Sequence, residues 1–434
     1  MAQFNKNTHR YLEQEKTLFE VVMLADEYGN NIGPANPSGV AVDAFGRART
    51  SSPLTLFDSS HRYDDNGLWA TSTTSGGSSA FAVNQGLVNL NVDTTANAEV
   101  VRETYKVFSY QPGKSLQVLS TFVFNPAKTN LRQRIGYYGA QNGMYLELDN
   151  TTLSFVERSF VTGALSEIRV AQSSWNVDKM NGTGPSLLTL DITKAQIFWM
   201  DIEWLGLGTV RMGFVINGKL VHCHSFHHAN LINAPYITTA SLPLRYEIKN
   251  TGTTASASVL KQVCSTVISE GGYQLGGFQQ GIGTPISSSF QLSATPATYL
   301  PVISIRLKST ELDAIVILTA LSIMGVGNGI NYSWRLTTGS TVTTGAWTSA
   351  GTDSSVEYTI SGTAVSGGRV LATGFINSSN QGSPTIDVLK EALFKFQLER
   401  NGLTSTPINV TLEVAAATAN ERIFASIDWE EISR

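Results

Sequence analysis

The feature that most constrains this chain is a period of two. Short runs alternate apolar with polar residues, and turn-forming pairs interrupt them roughly every 8–14 residues. Successive side chains of a strand face opposite ways, so this pattern buries one face of a sheet and wets the other. Strands are expected at Leu116–Phe124, Met144–Leu148 and Leu153–Arg158, the last two joined through Asp149–Asn150. Further strands are expected at Ile197–Trp204, Thr209–Ile216 and Val259–Ser269, and at Lys219–Phe226 after an Asn217–Gly218 turn. Ala314–Met324 suits a buried strand. Helical spacing is confined to Asp387–Leu393, which runs into the alternating Phe394, Phe396 and Leu398. The pattern predicts an all-β chain of two β-sandwich or jelly-roll-like domains.

Composition places the boundaries. Residues 1–70 read as an irregular arm rich in Asn, Gly and Pro, with one candidate strand at Leu18–Leu24. Thr71–Ala80 (TSTTSGGSSA) reads as a flexible bridge. The first sandwich then spans 71–285, ending in a Gly- and Gln-rich linker at 271–285. The second spans 286–434 and is expected to face outward.

Several function classes are disfavoured at once. With 30 basic and 34 acidic residues the net charge is −4, and charged residues are only 15% of the chain. Neutrality of this kind does not suit nucleic acid as a partner. No apolar run approaches the ~18–20 residues of a membrane helix, so no membrane partner is expected. The opening MAQFNKNTHRYLEQEK lacks the apolar stretch of a signal peptide. Two cysteines, Cys223 and Cys264, lack metal-site spacing and are expected to be free, mostly buried thiols.

Three constellations bear on chemistry. The segment HCHSFHH carries His222, His224, His227 and His228. On a regular strand His222 and His224 share a face, the minimum for a shared metal, but no carboxylate lies in the cluster. They are expected to be structural or interfacial, neutral near pH 7 and charged near pH 5. Neither a cofactor nor a metal is expected.

The second constellation is Asp201–Gly206 (DIEWLG), in which Asp201 and Glu203 face the same way on a strand. It resembles part of the strand motif of lichenase- and laminarinase-type glycoside hydrolases, which implies a concanavalin-like first domain. Those enzymes pair two carboxylates across the sugar. Where the resemblance requires the nucleophilic glutamate, this chain has Trp199. No enzymatic activity is expected. The third constellation, Tyr137, Tyr138, Asn142 and Tyr145, combines aromatics with an amide as sugar-stacking sites do, although buried sheet positions suit these residues better.

Longer segments bear a more specific resemblance. FNKNTHRYLEQEKTLFEVVMLADEYGN, AVDAFGRARTSSPLTLFDSSHRY, ETYKVFSYQPGKSLQVLSTFV and DKMNGTGPSLLTLDITKAQIFWMDIEWLG are similar to virion structural proteins of tailed phages, notably contractile-tailed phages of marine cyanobacteria. CHSFHHANL and CSTVISEGGYQLGG share that similarity, which spans residues 4 to about 277. It implies a structural particle component, located in the virion and assembled in the host cytoplasm, with other virion proteins and further copies of itself as partners. Surface attachment, as head decoration or neck or tail accessory, is expected over shell formation, because no long spine helix is evident. The rival expectation is a receptor adhesin whose jelly roll binds host carbohydrate. The arm is expected to contact a partner through Phe45, Arg47, Arg49, Leu54, Leu56, Phe57 and Asp58, the arginines clamping a carboxylate.

Overall fold

The computed structural model describes residues 10–14, 17–21, 52–379 and 395–433. The chain divides into two units, Met1–Pro53 and Leu54–Arg434. In the first, Arg10–Gln14 pairs antiparallel with Thr17–Val21, which overlaps the expected strand at Leu18–Leu24; residues 22–24 lie outside the described residues. Phe45, Arg47 and Arg49 lie outside the described residues, as does Asp387–Leu393.

The second unit contains two β-sandwiches, all of whose strand pairs are antiparallel among the described residues. In the first, a seven-stranded sheet runs Ser166–Ala171, Thr152–Ser159, Gly143–Asp149, Leu131–Tyr138, Leu244–Asn250, Glu99–Thr104 and Trp69–Thr74. An eight-stranded sheet packs on it, centred on Ser115–Val123 and the long strand Ser258–Glu270. Between them lies a core that includes Phe122, Ile135, Tyr137, Phe155, Phe198, Phe214 and Tyr246. The two expected hairpins form, with Asn150 at φ 54° and Asn217–Gly218 at φ 52° and 78°. Asn and Gly tolerate the left-handed backbone that two-residue hairpin turns require.

The first sandwich starts earlier than composition suggested. Leu54–Ser60 pairs with Ser258–Glu270, and a bulge there turns both Leu56 and Phe57 inward. Phe57 packs 4.9 Å from Phe108 and 5.9 Å from Trp69, ring to ring. Leu54 packs against the same core, and only Asp58 of this group is exposed. The apolar surface of Leu56 and Phe57 is thus spent inside the sandwich. Thr71–Ala80 is likewise no bridge. Trp69–Thr74 and Gly77–Ala82 are strands joined by a tight turn with Ser75 at φ 42° and Gly76 at φ 87°. Ser and Thr suit an edge strand as well as a linker, so composition could not separate the two.

In the second sandwich a six-stranded sheet, with Leu300–Leu307, Val410–Ala416 and Asn331–Thr338 at its centre, faces a four-stranded sheet built on Arg422–Ser433. Phe278–Gly283, inside the supposed linker, pairs with Arg422–Ser433. The expected buried strand is Ile315–Gly325, and it joins the two halves. Ile315 and Ile317 sit in the first core, whereas Val316, Leu318, Leu321 and Ile323 sit in the second. Phe396 and Leu398 enter the second core beside it, where Leu318 N donates to Phe396 O and Leu398 N to Val316 O. No helix among the described residues is long and apolar enough to cross a membrane.

Candidate functional site

A cleft of about 500 Å³ opens at one end of the eight-stranded sheet, lined by Tyr110, Lys114, Asp201, Glu203, Leu205 and Arg211 among others. Its geometry follows from the strand Gln196–Ile202. Phe198, Met200 and Ile202 point into the core, so Asp201 faces outward beside its cross-strand partner Arg211. The two form an ion pair in which Asp201 is buried and Arg211 half-exposed. Beyond Ile202 the chain turns back on itself. Glu203 N donates to Thr209 O (3.1 Å) and Gly208 N to Trp204 O (2.7 Å). A Cβ on Gly208 would collide with the Glu203 carbonyl, so only glycine fits there. The turn places Leu205 at φ 42°, 58% exposed, on the cleft wall.

Asp201 and Glu203 both line this cleft, but the strand stops at Ile202, so Glu203 arrives there through the turn and not through strand alternation. Sequence reading missed the remainder of the wall. Tyr110 and Lys114 come from the loop before the strand Ser115–Val123, and Ser115 from its first residue, far from Asp201 in sequence, and no local pattern announces their convergence. The Tyr110 ring meets Trp204 edge-on at 5.6 Å; buried Trp204 Nε1 has no hydrogen-bond partner, and the buried Tyr110 hydroxyl, approached by the backbone N–H groups of Leu205, Trp204 and Gly113, has no acceptor for its own proton.

The histidines do not fall as a regular strand would place them. Lys219–Phe226 forms as expected, but opposite Met212 and Gly213 the ladder slips by one residue, so that Gly213 faces His222 and Met212 faces His224. This bulge turns Cys223 and His224 inward together and leaves His222 on the opposite face. His224 stacks 6.4 Å from Phe155 and meets Phe226 edge-on at 4.6 Å. His222 lies 6.0 Å from Trp199, with Nε2 2.9 Å from Ser225 Oγ. The shared face expected of His222 and His224 is therefore lost. Among the described residues no group of three or more His, Cys, Asp or Glu is placed to hold a metal ion. Burial, followed by the neighbouring His222 and His227, brings His224 down to about 4, so it remains neutral at pH 5.

His228, outside the pair singled out from sequence, is the most constrained of the four. It is buried, stacked on Tyr236 at 3.8 Å and held by Glu157 Oε2 (2.7 Å) and the Gly208 carbonyl (2.5 Å). Burial lowers its affinity for a proton, but the Glu157 and Gly208 hydrogen bonds outweigh that and raise it.

Tyr137, Tyr138 and Tyr145 are fully buried and offer no stacking platform. Tyr138 and Tyr145 lie on the outer face of the seven-stranded sheet, roofed by the Arg134, Arg158 and Arg245 guanidiniums at 5.1–5.4 Å. Those arginines interlock with Glu147, Glu167 and Glu247. This face is a closed charge lattice.

No protein-family model matches this sequence, and no curated protein matches it. Solved structures do resemble it. The Emp47p carbohydrate recognition domain is 10% identical at TM-score 0.31, over 52% of this chain and 98% of its own. A carbohydrate esterase, vb_24B_21, from the Shiga toxin-encoding bacteriophage phi24B is 12% identical at TM-score 0.30, over 51% and 100%. The CBM2 module of the evolved Dit of Lactobacillus casei BL23 phage J-1 is 7% identical at TM-score 0.32, over 52% and 100%. Two of these three similar structures thus come from phages, and no residue role is carried from them to this chain.

Proposed function

We propose that this chain is a non-catalytic structural component of a phage particle, carried on the virion surface as head decoration or as a neck or tail accessory, with its N-terminal segment as the anchor. The observation that supports this most is the junction between the sandwiches. One strand, Ile315–Gly325, supplies residues to both cores, so the two halves form one compact unit suited to a static assembly. The resemblance of residues 4 to about 277 to virion structural proteins points the same way. Its partners are other virion proteins and further copies of itself. Antibody-gold labelling of intact particles tests the reading. Label at a constant position on head, neck or tail is expected, and label found only on free protein in the lysate refutes it.

A second reading is favoured by the cleft at Asp201: a receptor adhesin whose first sandwich binds host surface carbohydrate. A glycan array probed with the full chain separates it from a purely structural accessory.

A further inference from the structure

We infer that the cleft walled by Tyr110, Lys114, Asp201, Glu203, Leu205 and Arg211 is a binding site for a neutral oligosaccharide, an inference that rests on the adhesin reading and names its site.

Four observations carry it. First, the charges balance. Two cations, Lys114 and Arg211, face two carboxylates, Asp201 and Glu203, and Arg211 already holds Asp201. A divalent cation would have to displace that guanidinium, and an acidic ligand would meet both carboxylates. A neutral ligand incurs neither cost.

Second, the polar groups suit hydroxyls. Carboxylates accept two hydrogen bonds side by side, and guanidinium and ammonium groups donate, so adjacent sugar hydroxyls find both roles within one wall. The Thr209 hydroxyl lies at the same wall, 3.3 Å from His227 Nδ1.

Third, Tyr110 is 93% buried, and while the backbone N–H groups of Leu205, Trp204 and Gly113 approach its oxygen, its hydroxyl proton has no acceptor. A buried hydroxyl proton without an acceptor is unfavourable, and a ligand oxygen would accept it. Trp204 Nε1 beside it is in the same condition.

Fourth, Leu205 is exposed in a left-handed backbone conformation that leucine rarely adopts. It offers an apolar surface for the C–H face of a sugar ring. The cleft volume of about 500 Å³ falls within the ~300–1,000 Å³ of small-ligand sites, but its polar lining departs from their usual apolar one.

The test uses the full chain on an array of neutral and acidic glycans, followed by calorimetric titration of the strongest neutral tetrasaccharide. Binding of a neutral glycan is expected, weakened at least tenfold in Glu203→Gln and in Tyr110→Phe with the melting temperature of Glu203→Gln unchanged. Glu203 is exposed, so its variant keeps the test valid even where Tyr110→Phe perturbs folding. Binding to acidic glycans alone overturns the ligand class. Undiminished affinity in Glu203→Gln overturns the site, and no glycan bound at millimolar concentration overturns both. Gold labelling reports particle location separately, so failure here leaves the structural reading standing.

Discussion

Arg400 Nη1 lies 2.6 Å from Glu103 Oε1, a buried ion pair that links the second sandwich to the first. Arg400 also donates from its backbone to Tyr105 O (3.1 Å) and from Nη1 to Thr104 O (3.2 Å), while Gln397 Nε2 reaches Val107 O (2.7 Å). Arg400→Ala removes the cation but leaves Glu103 in place with Arg245 alone at 3.3 Å. Breaking a buried pair from one side is expected to cost about 3 kcal/mol. Urea unfolding of the full chain should show that loss, and a smaller one when Glu103→Gln accompanies it. Equal losses in the single and double variants would mean that the pair does not hold the junction.

Glu247 anchors the charge lattice on the seven-stranded sheet, accepting from Arg132 (2.9 Å), Arg245 (3.2 Å) and Arg134 (3.5 Å). Burial would raise its carboxyl, but Arg245, Arg134 and Arg132 more than offset that and bring it down to about 2. A carboxyl depressed on folding contributes stability that is intact above about 4.5 and is lost as pH falls towards 2. Glu247→Gln should therefore be destabilised by about 3 kcal/mol at pH 7 and converge on the wild type near pH 2. Denaturant midpoints across that range measure it.

Strand positions and the Asp149–Asn150 and Asn217–Gly218 turns were legible because they depend on neighbours in sequence. The inward pairing of Leu56 with Phe57 was not, since it arises from a bulge against a strand far along the chain. Period two accounts for the outward side of Asp201, but Glu203 reaches the cleft through the turn after Ile202, and Tyr110 and Lys114 arrive by tertiary folding. The same rule failed at His222 and His224, because Cys223 between them is an extra residue without a partner in the ladder, and a bulge of that kind shows only once the two strands are paired. Arg132, Arg134, Arg245 and Glu247 carried no signal in the sequence, since their ion pairs form only between paired strands.

The slip at the histidines gives its own prediction. Gly213 stands opposite His222, and a Cβ there would collide with the Val221 carbonyl and come within 3.0 Å of Trp199 Nε1. Backbone cannot yield cheaply inside a paired ladder. Gly213→Ala is expected to destabilise the chain by about 2 kcal/mol, as overpacking does. Gly218→Ala, at φ 78° with nothing within 4 Å, serves as a contrast in which strain comes from the backbone alone. The thermal melt of Gly213→Ala should be accompanied by altered near-UV dichroism from Trp199, and a local signal unchanged in that variant would contradict the crowding.

Two buried histidines should push stability in opposite directions with pH. His228 has its proton affinity raised on folding, because the Glu157 and Gly208 hydrogen bonds outweigh burial. Its contribution is fully present below the unfolded value near 6.5 and is lost as pH rises through the higher folded value. His224 is the reverse. Lowered to about 4, it stays neutral in the fold while the unfolded chain takes up a proton, so stability falls as pH drops from 6.5 to 4. His228→Gln should then cost most at pH 6 and least at pH 9. His224→Phe forfeits the bond from Asn176 N (3.3 Å) at every pH, but it should remove on the order of 2 kcal/mol of the acid-side loss. Unfolding free energies measured from pH 4 to 9 decide the matter: curves for both variants that run parallel to the wild type would rule out these assignments.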